Sequence, residues 1–364
     1  MSKFNESRTY GIEIEYSFGS GRATTMQAMA RYLSDAGVPT IAAGYTHTNM
    51  ATWKIVTDGS VYNGFELVSP PMSGIESKET LRTALRVIKE HGARTHNSCG
   101  IHIHQYAGDL NGKQLANIAE LYKSHESVID LFVAESRRGL NPNWCHSMIG
   151  GVEHYELMSS RSAPRTIGNF ATMTPNDKAR VLALLAPRGR YFKVNYVPYQ
   201  RQGTVEFRQH HSSLNINKLW AWIVFTQAVV EIAKTKRGKI NGRTVNTGPE
   251  ATRPVRSLLR EMGMRKARDY DEVTLDAFKR LMKRLPRTMR VNYRNGDPVN
   301  DNTDGVDNSA IAAEMVEHID ERGCPQCGAR MIRRINDNTG NSFMGCTNYR
   351  STGCRGTREA TARV

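Results

Sequence analysis

Three short segments of the chain alternate apolar and ionisable side chains residue by residue. They are residues 10–16, 99–105 and 204–210. Successive side chains of a strand point to opposite faces, so the alternation predicts three strands, each with an apolar face and a charged face. The apolar faces would carry Ile12, Ile14, Ile101, Ile103, Val205 and Phe207. The charged faces would carry Glu13, Glu15, His102, His104, Glu206 and Arg208.

Other segments have apolar residues at the spacing of an amphipathic helix. They are residues 25–36, 78–91, 111–135, 177–185, 215–233 and 274–285. Asn111 and Asn217 are expected to cap two of these helices, because a side-chain oxygen can accept from free backbone N–H groups. The mixture of strands and helices up to about residue 234 predicts an α+β domain. The apolar stretch at 220–233 is too short to span a membrane and predicts a buried helix.

The charged strand faces predict a metal site. Carboxylates and imidazoles on one face repel or desolvate each other unless a cation lies between them, and Mg²⁺ or Mn²⁺ is held in this way. A fourth segment, residues 65–70, adds Glu66 between two apolar neighbours. The alternatives are a half-exposed strand residue at Glu66, core histidines at positions 102 and 104, and a surface ion pair between Glu206 and Arg208.

The chain of 364 residues has a formal net charge of +15 at pH 7. This excess favours a polyanionic partner, either a nucleic acid or a phosphate-rich substrate, and much of it lies between residues 234 and 294. A solvated basic helical surface is the alternative. The first residues lack the apolar core of a secretory signal, so we expect a cytoplasmic protein.

Composition predicts four parts of the chain. Residues 1–235 would form the main α+β domain with the predicted metal site, and residues 236–294 a basic helical extension. Residues 295–319 begin with a run of turn-forming residues and would be a linker. Residues 320–364 would form a small C-terminal module.

Four cysteines of the C-terminal module have the spacing of a structural zinc site. Cys324, Cys327, Cys346 and Cys354 give the pattern C-x2-C-x18-C-x7-C. Four thiolates can hold Zn²⁺ tetrahedrally, and a segment this small needs such a centre to fold. Disulfides are the alternative, disfavoured by the expected cytoplasmic location.

The same module resembles the zinc ribbons at the C-terminus of type IA topoisomerases. The resemblance covers about the last 40 residues. It implies contact with single-stranded nucleic acid through aromatic residues such as Phe343 and Tyr349 together with neighbouring arginines. A ribbon that serves only folding or protein docking is the alternative.

The strand motifs together resemble the amidoligase family of the glutamine synthetase and glutamate–cysteine ligase superfamily. They are YGIEIE, ELVSP, CGIHIH and GTVEFRQH, in this order, within about residues 8–235. The resemblance implies a curved antiparallel sheet with helices on its outer face, and a concave side that forms a funnel for ATP and divalent metal ions.

The resemblance also implies roles for individual residues. Glu13, His102 and Glu206 would ligate one ion, and Glu15 and Glu66 another. Arg208 would hold the transferred phosphate, and His104 would lie toward the acid substrate. Arg190 and Arg201 are further candidates for gripping a carboxylate or phosphate, because an arginine can bind either group through two parallel hydrogen bonds.

The leading hypothesis is therefore an ATP-dependent ligase that joins a carboxylate to an amine through an acyl phosphate, with a zinc ribbon as accessory. The substrates would be small molecules or peptides. Two alternatives stay open: a nucleic-acid-binding protein with a degenerate ligase domain, and a metal-dependent phosphotransferase.

Overall fold

Seven strands form the main sheet in the computed structural model. They are β1 (Tyr10–Ser17), β2 (Thr40–Ala42), β3 (Trp53–Val56), β4 (Gly64–Val68), β5 (Gly100–Tyr106), β6 (Val194–Asn195) and β7 (Thr204–His211). Their order in the sheet is β2-β3-β4-β1-β5-β7-β6. The three strands with alternating side chains thus lie side by side at the centre of the sheet.

The structure describes residues 4–18, 24–46, 50–138, 144–148, 172–185, 189–236, 252–264, 271–285, 291–294, 297–300, 324, 326, 331–335, 342–346 and 354–359. The chain divides into two compact units, Met1–Asn302 and Thr303–Val364. This division falls within the predicted linker, and the other predicted boundaries stay predictions.

Nine α-helices accompany the sheet among the described residues. They are α1 (Met26–Asp35), α2 (Ser77–Glu90), α3 (Gly112–Ser124), α4 (Glu126–Leu131), α5 (Pro175–Leu185), α6 (Tyr199–Gln202), α7 (Ile216–Thr235), α8 (Thr252–Glu261) and α9 (Glu272–Met282). The α+β prediction is confirmed. Among the described elements, no helix combines the length and apolar character that crossing a membrane requires.

The apolar face of the sheet packs into the main core. Ile12, Ile14, Ile101 and Ile103 are buried there together with most of α7. Gln105 of β5 donates to Ile223 O of α7 at 3.1 Å, and the Phe225 ring of α7 lies 5.7 Å from Phe278 of α9. Because helices cover this face, the opposite face carries the charged side chains.

Three local predictions need correction. The sheet is mostly antiparallel, but β2 and β3 pair in parallel. The predicted helix at 111–135 is two helices, because α3 ends and α4 begins at His125. Asn111 caps α3 as expected, whereas α7 is capped by Asn215, which accepts from the backbone N–H of Asn217; the prediction that Asn217 is the cap was wrong.

The remaining strands are short. β8 (Val291–Arg294) and β9 (Asp297–Asn300) pair in antiparallel orientation, so residues 297–300 of the predicted linker belong to a strand. In the second unit, β10 (Met331–Ile335), β11 (Ser342–Cys346) and β12 (Thr357–Glu359) form a three-stranded antiparallel sheet.

Candidate functional site

Strand register places the ionisable side chains next to one another. Glu13 of β1 pairs with His102 of β5, and Glu15 of β1 pairs with Glu66 of β4. His104 of β5 pairs with Glu206 of β7. Directly paired residues have Cβ atoms about 5 Å apart, so these three cross-strand pairs bring six ionisable side chains together on one face of the sheet.

A β-bulge in β7 changes which side chains of this strand lie on the charged face. Ile103 pairs with Phe207, but Ile101 pairs with His210, so Arg208 and Gln209 both lie opposite His102. A bulge inserts one extra residue and changes the direction of nearby side chains. Arg208 therefore lies beside Glu206, whereas Gln209 is buried and donates to Asp130 at 2.5 Å.

Glu13, His102 and Glu206 form what we call the first cluster. Nδ1 of His102 lies 3.0 Å from Glu13 Oε2 and 3.4 Å from Glu206 Oε1. One ligand atom from each residue lies within 4.8 Å of the others. This spacing is compatible with shared ligation of one ion.

Glu15, Glu66 and His102 form the second cluster, again with ligand atoms within 4.8 Å of one another. Nε2 of His102 lies 3.8 Å from Glu15 Oε1, so the imidazole presents one nitrogen to each cluster. The backbone N–H of Gly100 donates to Glu15 Oε2 at 2.6 Å and fixes this carboxylate.

Neighbouring charges set the ionisation of the first cluster. Burial lowers the pKa of the His104 imidazole, but Glu13 and then Glu206 raise it by more, so the net shift is upward. Burial raises the pKa of Glu13, but His104 and His102 bring it well below its ordinary value. Burial also raises the pKa of Glu206, and Arg208, followed by His104 and His102, shifts it downward overall. Both carboxylates are therefore ionised near neutral pH.

Glu66 behaves in the opposite way. Burial raises the pKa of its carboxyl well above the ordinary value, and repulsion from Glu13, Glu15, Asp58 and Glu206 adds to this effect. All the neighbouring charges that raise this pKa are carboxylates, so negative charge is concentrated around Glu66. A bound cation would supply the missing charge.

This donor set fits a hard divalent cation. Four carboxylates and one imidazole offer the oxygen and nitrogen ligands that Mg²⁺ and Mn²⁺ accept. The excess negative charge at Glu66 is the observation that supports the fit. His102 would bind through Nδ1 and direct Nε2 to Glu15, as metal-bound histidines commonly direct their second nitrogen to a carboxylate.

Arg208 and His104 border the first cluster. Arg208 forms an ion pair with Glu206 and also donates from Nε to Trp144 O at 3.4 Å. His104 Nε2 lies 3.3 Å from Glu13 Oε1. Both side chains can therefore face a ligand bound at this cluster.

Arg190 and Arg201 are exposed. Arg190 lies over the Tyr191 ring, 5.2 Å from its centroid, and Arg201 belongs to the short helix α6. Among the described residues, neither forms an ion pair with the four carboxylates of the clusters. Their roles in ligand binding stay predictions.

Sequence reasoning missed two residues on this face. The buried Asn195 of β6 donates from Nδ2 to Glu206 Oε2 at 2.6 Å and accepts from the backbone of Val197 at 2.9 Å. Lys54 of β3 is buried, and burial lowers its pKa below the ordinary value although Glu13 and Glu66 oppose this shift. Neither residue lies in one of the quoted strand motifs, so only strand pairing could reveal them.

The second unit brings three of the predicted zinc ligands together. The Sγ atoms of Cys324, Cys346 and Cys354 lie within 4.8 Å of one another, with 3.6 Å between Cys324 and Cys354. Two sulfurs bound to one Zn²⁺ at about 2.3 Å would be about 3.8 Å apart in tetrahedral geometry. The predicted ligand Cys327 and the predicted contact Tyr349 lie outside the described residues, and Phe343 is half-buried.

A family model described as "Putative amidoligase enzyme" matches residues 6–230 of the chain, the same region that contains both clusters. The chain belongs to the amidoligase family. The matched region ends within α7 and contains all seven strands of the main sheet. The family supports a ligase as the general class of activity.

Comparison of structures finds a bifunctional glutathione synthetase from Pasteurella multocida, with 15% sequence identity and a TM-score of 0.35. The match covers 78% of this amidoligase-family chain but only 47% of the synthetase. No curated protein matches the sequence.

Proposed function

We propose that this amidoligase-family chain is an ATP-dependent ligase that joins a carboxylate to an amine through an acyl phosphate. The two clusters that share His102 carry the proposal, because one face of a sheet holds ligands for two cations beside the arginine Arg208. The proposal includes a glutamine synthetase-like sheet, with the charged face as the floor of the site.

The side chains have distinct tasks in this reaction. Bound Mg²⁺ or Mn²⁺ would neutralise the phosphates of ATP and favour in-line transfer of the γ-phosphoryl group. Arg208 would hold the transferred phosphoryl group, since its guanidinium stays close to the first cluster through Glu206. Asn195 would keep one oxygen of Glu206 occupied and direct the other to the cluster.

The chemistry balances without another reactant. A carboxylate oxygen of the acid bonds to the γ-phosphorus as the bond to ADP breaks. The amine then bonds to the acyl carbon, phosphate leaves, and the ammonium protons are released to water. His104, with its raised pKa, would carry positive charge beside the acid and stabilise the developing negative charge.

Product analysis tests the proposal. The full chain would be incubated with Mg²⁺, ATP and a pool of carboxylic acids and amines, and ADP release should require both an acid and an amine. Hydroxylamine should capture the activated acid as a hydroxamate. Glu206→Gln should abolish turnover, whereas Glu79→Gln on the exposed surface of α2 should not.

Other outcomes would identify the alternatives. ADP release with the acid alone, and a stable phosphorylated product, would indicate a phosphotransferase. Absence of ATP turnover together with strongly salt-dependent binding of single-stranded DNA would indicate a nucleic-acid-binding protein.

We also propose that the second unit is a zinc ribbon. The three clustered thiols and the three-stranded sheet support this proposal. The purified chain should contain about one Zn²⁺, and Cys346→Ser should lose it while turnover of small substrates remains. Weaker binding of single-stranded nucleic acid by this variant would support a role of the ribbon in substrate recruitment.

A further inference from the structure

Arg137 is a buried arginine whose charge the proposed reaction does not use. It ends a 3-10 turn, Glu135–Arg137, and is 3% exposed. Its backbone carbonyl accepts from Gln209 at 3.2 Å, and its Nη2 donates to Ser98 O at 2.9 Å. These contacts fix the guanidinium on the segment that precedes β5.

The guanidinium lies beside the second cluster. A methyl group added at Gly100 would lie 3.2 Å from both Nη atoms of Arg137 and 3.2 Å from Nε2 of His102. Gly100 precedes His102 by two residues in β5, so this added group would point to the charged face. The same Gly100 donates its N–H to Glu15. A side chain at Gly100 would therefore crowd both the guanidinium and the imidazole, so the glycine allows Arg137 to pack close to the second cluster.

Two other buried cations, Arg8 and Lys193, and the half-buried Arg208 have carboxylate partners. Arg8 pairs with Asp109 and Glu231, Lys193 with Glu126 and Asp130, and Arg208 with Glu206. Within the described ranges, Arg137 has no carboxylate at ion-pair distance; its partners are the Ser98 carbonyl and the neighbouring Cys145 thiol. Burial raises the pKa of this thiol, so it supplies no negative charge.

A buried guanidinium with no carboxylate at hydrogen-bonding distance keeps donor capacity that a ligand can satisfy. We propose that Arg137 binds an oxyanion, a phosphate or carboxylate group, of the ligand held at the second cluster. The planar fork of an arginine matches either group. This inference deepens the proposed function and rests on it for the source of the ligand. Arg208 and Arg137 would bind anionic groups on either side of His102.

Equilibrium binding tests the inference without turnover. Arg137→Met would be compared in the full chain with Arg138→Met, because Arg138 is the adjacent arginine and, among the described residues, its guanidinium donates to Val133 O at 2.8 and 3.0 Å. Calorimetry with Mg²⁺ would use two classes of probe. AMP-PNP, ADP and pyrophosphate report on phosphate, and a panel of amino acids and dicarboxylic acids, titrated with AMP-PNP present, reports on carboxylate.

Arg137→Met should lower the affinity for one class of probe by roughly 10- to 100-fold, because charged hydrogen bonds to that probe are lost. Arg138→Met should change binding by less than about threefold. A loss confined to the nucleotide probes would identify the oxyanion as phosphate, and a loss confined to the acids would identify it as carboxylate. Unchanged binding of every probe, or binding of none by the unaltered protein, would overturn the inference.

Stability without ligand separates binding from a structural role. If Arg137 waits for an anion, Arg137→Met should unfold at the same urea concentration as the unaltered protein or at a higher one. A clear loss of stability with unchanged affinity would show a purely structural residue. Lost anion binding in a protein that never forms an amide would refute the ligase and leave this inference intact.

Discussion

Replacement of Glu66 by glutamine tests the charge balance of the second cluster. Glu66 lies directly opposite Glu15 in the β1–β4 register, with Cβ atoms about 5 Å apart. Two unit charges at about 5 Å repel by about 3 kcal/mol at an effective dielectric constant of about 20. Burial, together with this repulsion, raises the pKa of Glu66 well above its ordinary value, so the carboxyl binds a proton more readily. Glu66→Gln should therefore stabilise the metal-free protein by about 1 to 3 kcal/mol at pH 7.

The pH dependence has a defined sign. Because the pKa of Glu66 is higher in the folded protein than in the unfolded chain, the folded state binds more protons above about pH 4.5. The free energy of unfolding of the metal-free protein should then decrease as pH rises from about 4.5 through the folded-state pKa. Glu66→Gln should remove this contribution.

With Mg²⁺ added, the unaltered protein should become more stable than Glu66→Gln. Binding at about 100 times the dissociation constant stabilises a folded protein by about 2.7 kcal/mol. The unaltered protein should show a gain of this size, and Glu66→Gln should lose most of it because the second cluster loses an anionic ligand.

Urea unfolding in EDTA and in MgCl₂ measures both effects. Glu79→Gln on the exposed surface of α2 serves as the control and should change stability by less than about 0.5 kcal/mol in either buffer. A metal-free Glu66→Gln variant that is less stable than the unaltered protein, or one that keeps the full Mg²⁺ effect, would refute the assignment of Glu66 to a cation site.

Three further predictions concern the support of the site. Asn195→Ala should weaken Mn²⁺ binding by roughly 10- to 100-fold, because Glu206 loses the amide that orients it, and a titration followed by electron paramagnetic resonance would detect this. Lys193→Met should lower the free energy of unfolding by roughly 3 to 5 kcal/mol, since it removes the cation that Glu126 and Asp130 contact in the core; urea unfolding would measure the loss. Burial, followed by neighbouring cations, lowers the pKa of His211 to about 3. The free energy of unfolding should therefore fall as the pH drops below about 6.5, by up to about 1.4 kcal/mol per pH unit. In His211→Gln, the free energy of unfolding should depend less on pH between about pH 7 and 5.

The strand faces could be predicted because alternation is a local property. Ile12 and Ile14 are buried against the helices, while Glu13 and Glu15 lie on the opposite face. Helix positions were similarly accessible from apolar spacing. The cap of α7 was not, since Asn215 and Asn217 are both suitable residue types and only the path of the backbone selects between them.

The partners within the site could not be predicted from spacing alone. The bulge that places Arg208 and Gln209 opposite His102 adds one residue to β7, and no residue pattern marks it. Three residues near the charged face come from segments without alternation. Strand pairing brings Asn195 and Lys54 there. Arg137 reaches it because its 3-10 turn packs against the segment that precedes β5.

The sequence by itself determined which side chains share a strand face, because the two-residue period follows from the geometry of each residue. It also determined the residue types available for cation binding. Only the tertiary structure decided that His102 serves two clusters and that Glu66 lies among other carboxylates. The same holds for Arg137, which is buried with no carboxylate at ion-pair distance among the described residues. Distances between remote segments depend on register and packing of the whole sheet, and a local pattern does not contain them.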